Sequence, residues 1–314
     1  MKNWLKILLA GAMLATGLMP LGSAVQAAEK YKPFVLAWRG TGDFDEKIAE
    51  VKDKLEGAGF TILGEYSPYD DKAHVDKATV IIFTSDALKK VATMSEYGAF
   101  AVPQRASVTK IGNDLQVAYF NPTYMAYAYR LKSDLSNTAA ALEKALGKIE
   151  EFGSRKGLTA RKLKKYHYTF GMEYFDDPYE LAEYGSYKEA IAAVEKNLAN
   201  NEVGIHKVYR VDIPGAKQTV FGVSKKAPPG GNINYDDEHI MGVVDFEELK
   251  TSAYLPYEIL VDGNEVIALH MRFRMAVSRP DLKMMGNNSF MNIMPSPEAI
   301  RKALTVAVGG DPDD

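Results

Sequence analysis

The sequence predicts an α+β protein built from two similar units, each an antiparallel sheet with helices on one face. Short runs rich in β-branched and aromatic residues are interrupted by segments with helical periodicity. The order of these features in the first half of the chain returns in the second half. A chain of 314 residues also has room for about two domains, at roughly 150 residues each.

The first 27 residues have the layout of a secretory signal peptide. Lys2 and Lys6 accompany an apolar run over residues 5–21, and Val25 and Ala27 supply the small-residue signal before a cleavage site. We expect cleavage after Ala27 and a mature chain in the periplasm or outside the cell. An uncleaved anchor is the alternative, but glycines and a proline break the apolar run. No later run is long enough to span a membrane.

The composition excludes several classes of protein. The chain has no cysteine, and its formal net charge is -3. The missing thiols exclude disulfide frameworks, thiolate metal sites and cysteine nucleophiles. A small negative net charge does not strongly attract nucleic acid or anionic lipid, so we expect no nucleic-acid partner.

The first unit is predicted to span residues 28–153. Phe44, Ile48, Val51 and Leu55 recur at helical spacing after Asp43, a candidate N-cap. Strands are predicted over residues 31–38, 60–66, 78–84, 100–111 and 115–120, and helices over residues 86–97 and 136–152. A turn at Gly112-Asn113-Asp114 joins the last two strands into a hairpin.

A basic linker is predicted over residues 154–165, before a second unit over residues 166–308. Such charge runs are typical of solvated connections, although an anion site is the alternative. The predicted elements of the second unit are strands over 166–174, 203–211, 218–223, 254–261 and 265–275, and helices over 187–198 and 296–308. Residues 227–237 are predicted to form a loop, and the tail 309–314 is predicted to be disordered.

The two halves align feature by feature. The alignment pairs Asp43–Leu55 with Ser186–Leu198, residues 78–83 with 218–223, Val102-Pro103 with Leu255-Pro256, Asn113-Asp114 with Gly263-Asn264, and Asn121-Pro122 with Arg279-Pro280. We interpret this shared order as a tandem duplication of a β-α-β-β-(insert)-β-β-α unit.

Several segments resemble one bacterial family. They are residues 57–63 (GAGFTIL), residues 97–103 (YGAFAVP), the hairpin, and Asn121-Pro122, with a second version in residues 255–257, 272–275, 279–282 and 289–291. Together they resemble the family called domain of unknown function 302. The resemblance implies two β-α-β4-α units with a TATA-binding-protein-like fold, and it implies no reaction.

One candidate ligand-binding surface comes from the second hairpin. In an extended strand, His270, Arg272 and Arg274 would share one face, and the intervening apolar residues would share the other. That cationic strip would suit an anionic ligand or a neighbouring subunit. The alternative is a solvated sheet face paired with local carboxylates.

A methionine cluster offers a different chemistry. Met284, Met285, Met291 and Met294 lie close together in a chain with 13 methionines. Thioethers are soft ligands suited to Cu(I), and with His270 they could form a copper or haem site. The alternative is that these side chains fill irregular gaps in the core.

A group of tyrosines follows the first hairpin. Tyr124 and Tyr127 could line an apolar cleft with polar tips, or they could fill the junction between a sheet and a helix. The sequence has no Gly-x-Ser-x-Gly, phosphate-binding glycine loop or His-Glu-x-x-His motif.

The sequence therefore favours an exported, non-catalytic protein that binds a small molecule or a periplasmic protein where its two units meet, and no cofactor is expected. A homo-oligomer is left open. The alternative is a redox-associated copper or haem protein that uses the methionine cluster.

Overall fold

A computed structural model describes residues 28–72, 74–200 and 203–313, with backbone only for residues 70–72. The chain forms a seven-stranded sheet, a five-stranded sheet and a short two-stranded sheet, in which every strand pair is antiparallel. Helices pack on the two larger sheets. The predicted α+β class is confirmed. The predicted signal peptide, residues 1–27, lies outside the described residues.

The N-terminal domain is built on the seven-stranded sheet. Its elements are β1 (Lys30–Tyr31), β2 (Phe34–Gly40), α1 (Phe44–Gly57), β3 (Thr61–Tyr66), β4 (Asp70–Lys72), β5 (Val75–Thr84), α2 (Asp86–Ala92), a 3-10 turn (Gly98–Ala101), β6 (Gln104–Ile111), β7 (Asp114–Phe120), α3 (Pro122–Ala128), α4 (Ser136–Leu146) and β8 (Glu150–Phe152). The strand order is β3-β5-β6-β7-β2-β8, and β4 pairs with β5. Asp43 caps α1 by accepting from two backbone amides, as predicted.

A short connection follows. It contains β9 (Leu158–Thr159), which pairs with β1, and α5 (Ala160–Leu163). The basic linker is thus tied back to the start of the described chain.

The C-terminal domain is built on the five-stranded sheet. Its elements are β10 (Tyr179–Glu183), α6 (Tyr187–Ala199), β11 (Ile205–Asp212), β12 (Gln218–Lys225), a 3-10 turn (Ile233–Tyr235), α7 (Asp237–Val244), a 3-10 turn (Ser252–Tyr254), β13 (Tyr257–Asp262), β14 (Glu265–Ala268), α8 (Met271–Ser278), a 3-10 turn (Phe290–Ile293) and α9 (Ser296–Val308). The strand order is β10-β14-β13-β12-β11. Residues 309–313, predicted to be disordered, lie beside α9, where Arg301 donates to the carbonyl of Pro312 at 2.9 Å.

The two domains share their element order and their strand order. Strands β3, β5, β6, β7 and β2 correspond in sequence to β11, β12, β13, β14 and β10, and they occupy the same places in their sheets. The contacts between domains are also reciprocal. The turn Gly98–Ala101 lies against β12 and β13, while the turn Ser252–Tyr254 lies against β5, β6 and β7. Each domain thus presents a 3-10 turn to the sheet of the other.

Several predicted elements are wrong, wholly or in part. Residues 166–174, predicted to be a strand, form bends, one turn and irregular structure, and the first strand of the C-terminal domain is β10. The helix predicted over residues 86–97 ends at Ala92, and the strands predicted over residues 100–111 and 254–261 begin at Gln104 and Tyr257. The helix predicted to reach residue 152 ends at Leu146, because Gly147 takes a left-handed φ of 98°. Residues 227–237, predicted to be a loop, contain a 3-10 turn and the start of α7. The strand predicted over residues 265–275 ends at Ala268, and the helix α8 replaces its second part.

Two pairings in the predicted alignment also change. Asn121 caps α3 and His270 caps α8, so Asn121 corresponds to His270 and not to Arg279. The hairpin turns pair Gly112-Asn113 with Gly263-Asn264, one residue away from the predicted match. Among the helices of the described residues, none combines the length and apolar character needed to cross a bilayer.

Candidate ligand site at the domain interface

The structure separates the three residues of the predicted cationic strip. His270 is the N-cap of α8 and accepts from the backbone amide of Arg272 through Nδ1 at 3.2 Å. Arg272 is partly exposed and pairs with Glu173 at 2.7 Å, whereas Arg274 is buried. The prediction of one strand face is therefore wrong. His270 starts a helix, and side chains two residues apart on a helix do not share a face.

His270 is held in its neutral form. Because Nδ1 accepts from a backbone amide, the ring proton lies on Nε2, which faces Glu173 Oε1 at 3.3 Å. Burial, followed by the charge of Arg272, lowers the pKa of His270 to about 4. Glu173 would oppose that shift, but its carboxylate is also paired with Arg272. The geometry at Nδ1 agrees with the lowered pKa.

The two candidate tyrosines lie on α3 and contact different parts of the molecule. Tyr124 is fully buried, and its hydroxyl donates to the carbonyl of Val277 in α8 at 2.7 Å. Tyr127 contacts the ring of Tyr31, with centroids 5.2 Å apart. Tyr124 therefore ties α3 to α8 across the domain interface.

The methionine cluster is mostly at the surface. Met285, Met291 and Met294 are 73%, 46% and 55% exposed, and Met284 packs partly against the core. His270 has both ring nitrogens engaged. Across residues 28–72, 74–200 and 203–313, no group of three or more His, Asp or Glu side chains is placed to hold a metal ion. The copper or haem hypothesis stays a prediction.

A buried ionic cluster crosses the domain interface. Arg105 on β6 contacts Glu258 on β13, and Arg274 on α8 lies 2.9 Å from the other carboxylate oxygen of Glu258. All three side chains are at most 2% exposed. Arg274 also donates to the carbonyls of Tyr254 and Pro256. The Glu258 carboxylate thus forms ion pairs with two guanidinium groups, one on β6 and one on α8.

A second buried pair lies nearby. Lys225 at the end of β12 pairs with Asp237 at the start of α7. Tyr66 of the N-terminal domain donates to the same carboxylate at 2.7 Å. Burial lowers the pKa of Lys225, and Asp237 opposes that shift.

The buried charges of the described residues do not balance. Five are cations and three are carboxylates: Arg105, Lys225, Lys250, Arg274 and Arg279, against Asp237, Asp245 and Glu258. A buried charge is costly unless it is paired, so an excess of buried cations favours an anionic partner.

A cavity of about 820 Å³ opens at this interface. Its lining comes from the end of β8, the linker, the segment after α7 and the segment after α8: Lys32, Phe152, Gly153, Ser154, Arg155, Val244, Asp245, Phe246, Glu247, Glu248, Leu249, Thr251, Arg279, Asp281, Leu282, Lys283, Asn287 and Asn288. We call it the interface cavity.

Arg279 and Asp245 are the buried charged residues of the interface cavity. The Arg279 guanidinium donates to Thr251 Oγ1 at 2.5 Å, and Thr251 donates through its amide and hydroxyl to Asp245 Oδ1. Arg279 Nε and Asp245 Oδ2 have no hydrogen-bond partner in the described part of the chain. Burial lowers the pKa of Arg279, and Asp245 opposes that shift. Two residues that line the cavity thus each have one buried polar atom without a partner in the described chain.

Sequence reasoning missed both residues. Arg279 was predicted only as a match to Asn121 and as part of the family-like segment 279–282, and Asp245 was not singled out. A signal was present in Arg279-Pro280, because the proline ends the α8 region and places the arginine at a helix C-terminus. Both residues bond to Thr251, which is distant from Arg279 in the sequence, and periodicity does not report such tertiary contacts.

Comparison with known families gives one match. Residues 37–149, from β2 to just before β8, match the family described as Domain of unknown function DUF302. The predicted resemblance is therefore confirmed for that part of the chain. A comparison with curated proteins finds no match.

Proposed function

We propose that the protein is an exported binding protein that holds a small organic carboxylate in the interface cavity. The observation that carries this proposal is the pair of unsatisfied buried atoms, Arg279 Nε and Asp245 Oδ2, in residues that line one cavity. Leaving a buried polar group unpaired costs about 1–3 kcal/mol. A ligand with one acceptor and one donor would recover that cost for both.

Arg279 is the buried cation of a cavity whose lining charges balance. The lining has four cations and four carboxylates: Lys32, Arg155, Arg279 and Lys283, against Asp245, Glu247, Glu248 and Asp281. A carboxylate matches a guanidinium in shape and charge. Asp245 would repel a second negative group but would accept from an N–H or O–H of the ligand. An amino acid or a hydroxy acid meets both requirements.

The cavity suits binding better than catalysis. Its volume of about 820 Å³ lies within the usual range for small-molecule sites, roughly 300–1,000 Å³. No histidine is among its described lining residues. The lining thus offers no side chain that ordinarily titrates near neutral pH for acid–base work.

The two domains are, in this proposal, two copies of one unit. The shared element order, shared strand order and reciprocal turn contacts support a tandem duplication of the family domain. Sequence relatives of residues 166–308 provide the test. A profile built from them is expected to match the DUF302 family, and a match to a different fold family would contradict the duplication.

Export rests on the first 27 residues. N-terminal sequencing of the protein from a periplasmic fraction is expected to begin at Ala28. A chain that starts at Met1 and stays in the cytoplasm would contradict it.

The ligand proposal is tested by thermal unfolding of the full mature chain with amino acids, hydroxy acids and their amides. Carboxylates with an α-amino or α-hydroxyl group are expected to raise Tm, and the amides are expected to do so less. In Asn287→Trp, an exposed lining residue is enlarged at the cavity without loss of a buried group, and the shift should disappear. The matched control Asn137→Trp, on the exposed side of α4, should keep it.

Arg279→Lys separates charge from geometry. The lysine keeps the positive charge but loses the Nε donor, so ligand affinity should fall about tenfold or more. If no carboxylate shifts Tm, or if Asn287→Trp responds like the original chain, the interface cavity is not a carboxylate site.

A further inference from the structure

The loop before β10 presents an aromatic side chain to solvent. Phe170 is 99% exposed, and it lies in a turn closed by the amide of Met172 donating to the carbonyl of Thr169 at 3.1 Å. Gly171 has a φ of 77°, the left-handed value that the third position of a type II turn needs. Phe170 is therefore held at the tip of an ordered turn.

Three cations precede this turn in the chain. Arg161, Lys162 and Lys165 line an open pocket of about 590 Å³ together with Tyr166 and His167. The three cations are exposed. Within the described residues, no carboxylate pairs with any of them. Their charge is therefore available to a partner.

The turn and the pocket form one unit. His167 lines the pocket, contacts the carbonyl of Thr169 through Nδ1 at 2.9 Å, and stacks on Tyr174. Tyr166 and Tyr168 donate to carbonyls of the C-terminal domain, each at 2.9 Å. His167 thus connects the pocket that the cations line with the turn that carries Phe170. We call Arg161, Lys162, Lys165 and Phe170 the basic tip.

We infer that the basic tip docks the protein onto a bilayer of anionic phospholipid. Proteins bind such surfaces through lysine and arginine side chains that lie beside an aromatic residue able to insert into the bilayer. A small phosphate could occupy the pocket but would leave Phe170 in water. A projecting turn with one apolar residue needs an apolar partner that can deform around it, and acyl chains do so.

The acidic net charge of the chain does not oppose this docking strongly. Charges farther away than the Debye length, about 8 Å at physiological ionic strength, are largely screened at an exposed surface. The local charge of the basic tip therefore decides the interaction with headgroups. This inference does not depend on the interface cavity.

Sedimentation of the full mature chain with vesicles tests the inference. Binding is expected with vesicles that contain phosphatidylglycerol, and it should be at least tenfold weaker with pure phosphatidylcholine and at high salt. Each cation near an anionic surface contributes about fivefold in affinity, so Lys162→Glu with Lys165→Glu should lose at least about 25-fold. Phe170→Ser should lose about tenfold.

Matched surface changes act as controls. Lys188→Glu with Lys196→Glu on α6 alters the net charge equally, and Met94→Ser removes another exposed apolar side chain. Both should bind as the original chain does. Equal binding to neutral vesicles, equal loss in the α6 control, or displacement of the protein by inorganic phosphate while Phe170→Ser binds normally would each overturn the inference.

Discussion

The N-terminal and C-terminal domains have one strand order but contribute differently to their interface. Of the eight buried charged side chains in the described residues, Arg105 alone belongs to the N-terminal domain. The C-terminal domain supplies the others and most of the interface cavity. The buried charges thus lie mostly on helices and loops of the C-terminal domain, whereas the strands of the N-terminal domain bury neutral polar side chains such as Thr79, Ser107 and Gln116.

Residues at corresponding strand positions of the two domains contact each other. Pro103 and Pro256 each precede their strand by one residue, so Arg105 and Glu258 are equivalent, and they form an ion pair. In a symmetric homodimer, such a position would face its own copy. An arginine facing an arginine would repel, whereas the two different residues attract.

A second equivalent pair differs in size. Gly64 and Tyr209 follow matching bulges in β3 and β11, and a Cβ on Gly64 would lie 3.5 Å from Tyr209 Cβ. Tyr209 pairs with Gly222 on β12, whereas Gly64 pairs with Ile82 on β5. The two domains therefore fit together because they carry side chains of different size at these corresponding positions.

The largest expected effect follows from removing the shared carboxylate. Glu258→Gln would leave Arg105 and Arg274 buried without their counter-charge. We expect the free energy of unfolding to fall by about 3–5 kcal/mol, measured by denaturant titration. Glu65→Gln, which breaks the exposed pair with Lys52, should cost at most about 1 kcal/mol. Equal small losses in both variants would show that the buried cluster adds nothing special.

A smaller effect is expected from filling the space opposite Tyr209. A Cβ at Gly222 would overlap the Tyr209 ring at 1.8 Å. Gly222→Ala should therefore lower the free energy of unfolding by about 1–3 kcal/mol. Gly57→Ala, where a Cβ meets nothing within 4 Å, is the control and should not destabilise. Unchanged stability of Gly222→Ala would mean that the ring does not lie over β12.

A third effect, of similar size but confined to acid pH, concerns the two N-caps, Asn121 and His270. The pKa of His270 is about 4 in the folded chain against an ordinary 6.5. As pH falls, the unfolded chain takes up the proton first, so stability is lost between about pH 6.5 and pH 4. His270→Asn gives α8 the non-titrating cap of α3. This variant should lose about 1–3 kcal/mol less over that window, and parallel pH profiles would count against the assignment.

Part of the fold was predictable because it depends on local patterns. The periodicity of Phe44, Ile48, Val51 and Leu55 predicts α1, and a glycine-containing turn predicts each hairpin. The prediction for the segment after Ala268 was wrong because alternating polar and apolar residues are typical of a strand. In the structure, N-capping by His270 and packing against the other domain favour a helix. Propensity over a few residues cannot register such tertiary contacts.

The candidate site was less predictable than the fold. The predicted duplication led us to expect a ligand site where the two units meet. It did not identify the residues of that site. His270, Arg272 and Arg274 were chosen for a shared strand face that does not exist. Arg279 and Asp245 become special only because burial leaves one atom of each unpaired.

The stability of the interface depends on having Arg105 in the N-terminal domain and Glu258 in the C-terminal domain, and not the reverse. The most direct measurement is the free energy of unfolding of the charge swap Arg105→Glu with Glu258→Arg. An arginine at position 258 would lie beside Arg274, so the swap should remain at least about 2 kcal/mol less stable than the original chain. A swap that restores the original stability would contradict the claim, since the two positions would then be interchangeable.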